Sequence, residues 1–179
     1  MPLAKLRAKP RVSVNQKILA GAAAIAVAIA GYSVQHFEGT RYIAYRDVAG
    51  VYTICEGHTL GVKPGDTATP QQCEAFRSDD VAAANDAIDR CVKVPLSIGE
   101  RAAYIDFVFN VGPSAFCGST LVKKLNSGQH VAACDELLRW TFAGGKQLPG
   151  LVTRRQAEHK LCKDQTWSLS SLVSSPASS

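Results

Sequence analysis

From Ile18 to Val34 the chain carries no charge, and alanine, glycine and branched aliphatic residues fill nearly all of the 17 positions. Such a run predicts a helix at the short limit for crossing the roughly 30 Å hydrocarbon core of a bilayer. After Glu38 the pattern changes. Tyr42, Ile43 and Tyr45, then Val51, Tyr52, Thr53 and Ile54, read as strand-like runs on either side of Asp47-Val48-Ala49-Gly50, which predicts a small hairpin. Gly57, Gly61, Pro64 and Gly65 mark a loop. Thr69 then has the chemistry of an N-cap, with Pro70 in the first helical position and Gln72 completing a capping box. Apolar residues at helical spacing carry that helix from Cys73 to about Asp89. A second capping box, Ser97-Ile98-Gly99-Glu100, opens an apolar helix through Tyr104, Ile105, Phe107, Val108 and Phe109, and Gly112-Pro113 ends it. Short helices are expected around residues 119–126, closed by Gly128, and around residues 131–140. Gly144-Gly145 and Pro149-Gly150 predict a turn-rich loop, and a last helix runs from about Thr153 to Cys162. No internal repeat is visible. The expected class is α+β, a small antiparallel sheet in front of a mostly helical body.

Charge changes the reading of the N-terminus. The chain has 179 residues, enough for one domain with appendages, and a net charge of +5. Lys5, Arg7, Lys9, Arg11 and Lys17 all precede the apolar run, and no acid occurs before Glu38. The remainder holds 15 basic and 15 acidic residues, so the whole excess lies in the leader. That distribution fits a cytoplasmic membrane flank and argues against a nucleic-acid partner. It also disfavours a buried soluble helix for residues 18–34. Two export readings stay open. Ala28-Ile29-Ala30 resembles a signal-peptide cleavage site and would release a chain beginning at Gly31. Alternatively the segment stays as an uncleaved anchor, weakly held because alanine and glycine gain less from lipid than leucine or isoleucine. The expected division is a basic flank at 1–17, a signal-anchor helix at 18–34, a catalytic domain at 35–163 and a Ser-rich flexible tail at 164–179.

Cys55, Cys73, Cys91, Cys117, Cys134 and Cys162 all follow the apolar run. An even number in an exported domain predicts up to three disulfides, with a connectivity that the sequence leaves open. There is no CxxC, and a single close Cys/His pair such as Cys55-Glu56-Gly57-His58 does not make a ligand set, so neither a metal site nor a cofactor is expected.

Glycosidic bond cleavage needs one carboxyl as general acid and a second that steers water or stabilises positive charge at the anomeric carbon. Glu38 and Asp47 lie nine positions apart across the predicted turn, and could face each other over a cleft. Thr53 offers a hydroxyl to hold a water beside Asp47. This order, Glu38, Asp47, Thr53 and then Gly57-His58-Thr59, resembles the signature of the phage-type lysozymes, glycoside hydrolase family 24. The resemblance continues through Phe107-Val108-Phe109-Asn110-Val111-Gly112, Ala115-Phe116 and Ser119-Thr120-Leu121. It extends to Arg139-Trp140-Thr141-Phe142-Ala143-Gly144-Gly145-Lys146, Gly150-Leu151-Val152-Thr153-Arg154-Arg155 and Glu158, so that matches run from about Phe37 to Cys162.

The resemblance implies Glu38 as general acid, Asp47 as the carboxylate that orients water and Thr53 as its partner. The implied substrate is the β-1,4 bond between N-acetylmuramic acid and N-acetylglucosamine in peptidoglycan glycan strands, cleaved with inversion. Inversion calls for carboxyls about 6.5–9.5 Å apart. His58 matches the family's structural histidine, with Asp80 as its expected partner, and His36 is expected at the surface. Cys134 and Cys162 would sit on adjacent C-terminal helices and are expected to pair, with Cys55–Cys73 and Cys91–Cys117 as the remainder. Arg154 and Arg155 are expected to make ion pairs within the fold. A basic tip, a weak Ala/Gly segment and a family 24 domain directly afterwards resemble the signal-arrest-release endolysins of lambdoid phages. That implies a monomeric lytic enzyme held inactive at the inner membrane through residues 18–34, then released into the periplasm. The alternatives are the same hydrolase with a cleaved signal peptide, a catalytically weak peptidoglycan-binding module, and a disulfide scaffold for protein contacts.

Overall fold

Four side chains spaced by four residues set the place of the N-terminal segment. Ala22, Ala26, Ala30 and Val34 fall on one stripe of a single helix, α1 (Val14–Glu38), and all four are buried. In this computed structural model, which describes residues 14–47 and 50–164 (side chains from residue 21 on), α1 lies against the helical body. Ala22 and Ala26 pack with Ile98 and Ala102, whereas Ala30 and Val34 join the main core with Ala84, Ala103, Tyr104 and Phe107. The small side chains are what let the helix backbones approach. The apolar run is therefore part of a longer helix that is folded onto the domain. No helix among the described residues is long and apolar enough to cross a membrane. The basic flank up to residue 13 and the Ser-rich tail from residue 165 lie outside the described residues.

Behind α1 come the hairpin strands β1 (Arg41–Arg46) and β2 (Tyr52–Cys55). They pair antiparallel, with Tyr45 opposite Thr53 and Arg46 opposite Tyr52. Residues 66–68 extend the sheet on the far side of β1, where the Ala44 and Ala68 amides bond to Asp66 and Tyr42 carbonyls at 2.9 Å. The long helix α2 (Pro70–Cys91) begins at the expected capping box, with Thr69 and Gln72 satisfying each other's backbone amides. The central helix α3 (Ile98–Val111) is capped in the same way by Ser97 and Glu100. Its residues from Ile98 to Val108 are almost all buried, as expected of a helix packed on every side.

Three elements depart from the sequence reading. Pro113 does not only end α3; it opens a further short helix, α4 (Pro113–Gly118). The predicted short helices follow as α5 (Thr120–Asn126) and α6 (His130–Glu136), the latter running into a 3₁₀ turn over Leu137–Arg139. The turn-rich loop contains a second hairpin, β3 (Phe142–Ala143) and β4 (Lys146–Gln147), too short to leave an alternating pattern. Gly144 and Gly145 both have positive φ, the requirement of a two-residue hairpin turn that matches strand twist. The last helix, α7 (Pro149–Cys162), starts four residues earlier than expected, because Pro149 occupies a first-turn position where a missing amide costs nothing.

The six cysteines form Cys55–Cys73, Cys91–Cys117 and Cys134–Cys162. The first ties the hairpin to α2, the second α2 to α4, and the third α6 to α7. The start of α3 also touches the end of α7: a Cβ at Gly99 would lie 2.4 Å from the Leu161 carbonyl oxygen, so only glycine fits there.

Ala30 has no accessible surface, so Ala30→Leu must displace neighbours in α2 or α3. Urea unfolding of the soluble protein is expected to show a loss of about 1–3 kcal/mol. An unchanged midpoint would mean that α1 does not pack on that face.

Candidate active site

Glu38 is the last residue of α1, and its carboxylate Oε1 accepts a hydrogen bond from Arg154 Nη1 of α7. Arg154 is 4% exposed and is surrounded by anions. Its Nη2 donates to Asp106 Oδ1 of α3 at 2.5 Å and approaches the Asp106 carbonyl at 3.3 Å. Its Nε stands 3.3 Å from Glu158 Oε1, one turn further along α7. The Phe37 ring lies 5.5 Å from the guanidinium carbon. Asp106 in turn accepts from Ser33 Oγ at 2.5 Å.

Arg155 extends the cluster. It donates to Glu158 Oε1, to Asn110 Oδ1 and, at 3.1 Å, to the Trp140 carbonyl, and its guanidinium sits 4.7 Å over the Phe107 ring. Both arginines therefore act within the fold, as expected. Burial opposes the Arg154 charge, but Asp106, Glu38 and Glu158 together outweigh it and raise its pKa. For Arg155 burial wins and the pKa falls, with Glu158 opposing. Burial pushes Glu158 up from 4.5 to about 7, against the pull of Arg155 and with help from the Asp106 charge. Its Oε2 finds no donor among the described residues.

Asp47 and Thr53 are organised by the backbone of one residue, Val51. Asp47 Oδ1 accepts the Val51 amide at 2.8 Å, and Thr53 Oγ1 donates to the Val51 carbonyl at 3.1 Å. The turn is closed further by Asp47 and Val51 through a backbone bond of 2.9 Å. The hairpin thus holds the carboxylate and the hydroxyl together, and Glu38 arrives separately at the end of α1. The short link between them is fixed by Glu56, a buried acid that accepts from Thr40 Oγ1 at 2.7 Å and from Arg77 of α2 at 3.2 Å. Cys55, at φ 58° in the left-handed region, and its disulfide to Cys73 precede Glu56 and aim it inward.

His58 bonds through Nδ1 to Asp80 at 2.8 Å and through Nε2 to the Leu60 carbonyl at 3.1 Å, and stacks on Phe76 at 4.3 Å. Both ring nitrogens are engaged, so the ring braces the loop after β2 against α2. His36 is exposed. A cavity of about 270 Å³ opens between that loop and the helices, lined by Gly57, Thr59 and Leu60 on one wall and Val108, Phe109, Gly112 and Pro113 on the other. Asp80 and Ala83 close its floor from α2.

The profile of the family described as Phage lysozyme matches residues 35–158. The chain belongs to that family. A SAR-endolysin of Bacteriophage PS119 is 44% identical over 155 residues, which cover 85% of this chain and 93% of the relative. Among solved structures, a mutant of P22 lysozyme shares 31% identity with a TM-score of 0.66, covering 87% of this chain and 100% of the other. The active form of P1 phage endolysin Lyz shares 26% identity with a TM-score of 0.67, covering 88% and 97%.

Asp106, Glu56 and Ser33 of this phage lysozyme go unmarked as site residues in the sequence, and Asn110 and Glu158 stand in the matching blocks without a role. One signal was available: Asp106 stands alone among Tyr104, Ile105, Phe107 and Val108, and an acid in so apolar a helix needs a buried cation. The Arg154, Arg155 and Glu158 spacing on α7 supplies it.

The pKa of Glu158 yields a stability prediction. A carboxyl raised on folding brings stabilisation that is complete below about pH 4.5 and is lost as the pH passes through about 7. Glu158→Gln, neutral at every pH, should lack this slope. Thermal midpoints measured from about pH 5 to about pH 8 should fall more steeply for the natural protein than for the variant. Parallel curves would contradict the protonation of Glu158.

Proposed function

We propose that this phage lysozyme is an endolysin that hydrolyses the β-1,4 bond between N-acetylmuramic acid and N-acetylglucosamine in peptidoglycan and so lyses the host cell. It acts as a monomer, with Glu38 as general acid, Asp47 as the carboxylate that orients water and Thr53 as its partner. In its protonated form Glu38 accepts from Arg154 on one carboxyl oxygen and gives the proton on the other to the glycosidic oxygen as the bond breaks. On the other face of the sugar, a water donates one hydrogen to the Thr53 hydroxyl, whose own hydrogen is committed to the Val51 carbonyl, and another towards Asp47. The water's lone pair then faces the anomeric carbon, and the product is inverted. The observation that supports this reading is that each group is braced: Glu38 is held by Arg154, and Asp47 and Thr53 both bond to the backbone of Val51.

Residues 18–34 hold the enzyme at the inner membrane first and are then released with the domain into the periplasm. While they lie in lipid, the stripe of Ala22, Ala26, Ala30 and Val34 cannot pack on α3. Glu38, four residues or about 6 Å beyond Val34 along the helix, cannot reach Arg154. Release docks α1 and completes the site. Two observations support release over signal cleavage. A chain beginning at Gly31 would lose three of the four stripe residues, and the fold as a whole is similar to a structure described as an active form. The intact Glu38, Asp47 and Thr53 speak against a binding module.

Glu38→Gln should lower the release of soluble fragments from cell walls by about 10²–10⁴-fold while leaving sedimentation with those walls unchanged. Proton NMR of fresh digests by the natural enzyme should show the α-anomer first. Retained activity in the variant would remove Glu38 from the role of acid, and an initial β-anomer would replace inversion with retention.

A further inference from the structure

The apolar stripe of α1 has a weakness. Ala22, Ala26, Ala30 and Val34 repeat every four residues, so sliding the helix by one turn sets alanine in the place of alanine over part of the stripe, and packing opposes the slip only at its ends. Such a slip moves Glu38 by about 6 Å. A polar contact adds to the discrimination between registers. Ser33 Oγ donates to Asp106 Oδ2 at 2.5 Å, and Asp106 is 1% exposed. The other Asp106 oxygen takes Arg154 Nη2 at 2.5 Å, and Arg154 Nη1 holds Glu38. Ser33 and Glu38 stand on the same helix, so the contacts form a ring that runs from Ser33 through Asp106 and Arg154 to Glu38 and back along α1. A one-turn slip in either direction would bring Ile29 or Phe37 to the place of Ser33, leaving a buried carboxylate oxygen without its donor.

We propose that Ser33 is a positioning residue: its hydrogen bond to Asp106 locks the register of docked α1, and so places Glu38 on Arg154. The proposal rests on the reading of Glu38 as the acid. A buried polar contact used to fix helix register at modest energetic cost has precedent in helical assemblies. It also explains a hydroxyl in a run where every neighbour suits lipid: Ser33 is tolerable in the bilayer and specific on the protein.

The test uses the soluble full-length protein and its Ser33→Ala, Ser33→Thr and Glu38→Gln variants, with kcat and KM measured on purified peptidoglycan and thermal midpoints measured alongside. Ser33→Ala should lower kcat about tenfold with KM within about twofold, since losing one bond to a charged group is worth that much. Ser33→Thr, which keeps the hydroxyl, should restore kcat to within about twofold of the natural enzyme. Full kcat in Ser33→Ala, with Glu38→Gln inactive, overturns the register lock alone. So does a loss that Ser33→Thr shares in proportion to its thermal midpoint, because Ser33 would then matter only for packing. An active Glu38→Gln removes the acid assignment on which the proposal stands.

Discussion

A guanidinium buried to the extent of Arg154 is tolerable only where carboxylates meet it from several sides, because an unpaired charge in the interior costs several kcal/mol. Here Glu38 comes from α1, Asp106 from α3 and Glu158 from α7 itself. The three helices are therefore required to converge, and the point of convergence is the end of α1 that carries Glu38. With Arg155 added, the cluster sets two cations against three carboxylates. The surplus negative charge is relieved at Glu158, whose pKa burial pushes up to about 7. The charge left on Arg154 is directed to Asp106 and Glu38. The hairpin has further braces of its own in Glu56, Arg77 and Cys55–Cys73.

This separation explains the composition of the N-terminal segment. A helix that must leave lipid needs few large apolar side chains, and one that must nest against α3 needs small ones. Alanine at 22, 26 and 30 satisfies both demands. A leucine-rich segment would be retained in the bilayer and would not fit the groove. The packing of these small side chains is supplemented by polar contacts at the C-terminal end of α1, where Ser33 and Glu38 grip the Asp106–Arg154 pair.

Much of this was legible in the chain itself, for local reasons. The two capping boxes announce α2 and α3 because their partners are three residues apart. Glu38, Asp47 and Thr53 stand in the order of the family signature, the hairpin ties the last two to one backbone residue, and His58 meets Asp80 as the resemblance implies. What escaped was long-range or very short. Asp106 and Arg154 are 48 residues apart, and no periodicity joins them. Strands of two residues, as in β3 and β4, carry no alternation to read. The segment from Ile18 to Val34 is ambiguous in principle: the same small, uncharged side chains suit lipid and a helix groove, so composition suggested the membrane where the folded chain shows the core. Pro113 and Pro149 were read as breaks because proline ends one helix and begins the next with equal ease.

The central claim is that docking of the intact segment assembles the site. It is tested most directly by separating membrane and soluble fractions of exporting cells before and after depolarisation, then measuring in each the intact mass of the chain and its muralytic activity. The account predicts an inactive, uncleaved chain in the membrane, and the same mass with full activity in the soluble fraction after the potential collapses. Full activity from chain still in the membrane, or an active soluble chain beginning at Gly31, would contradict it.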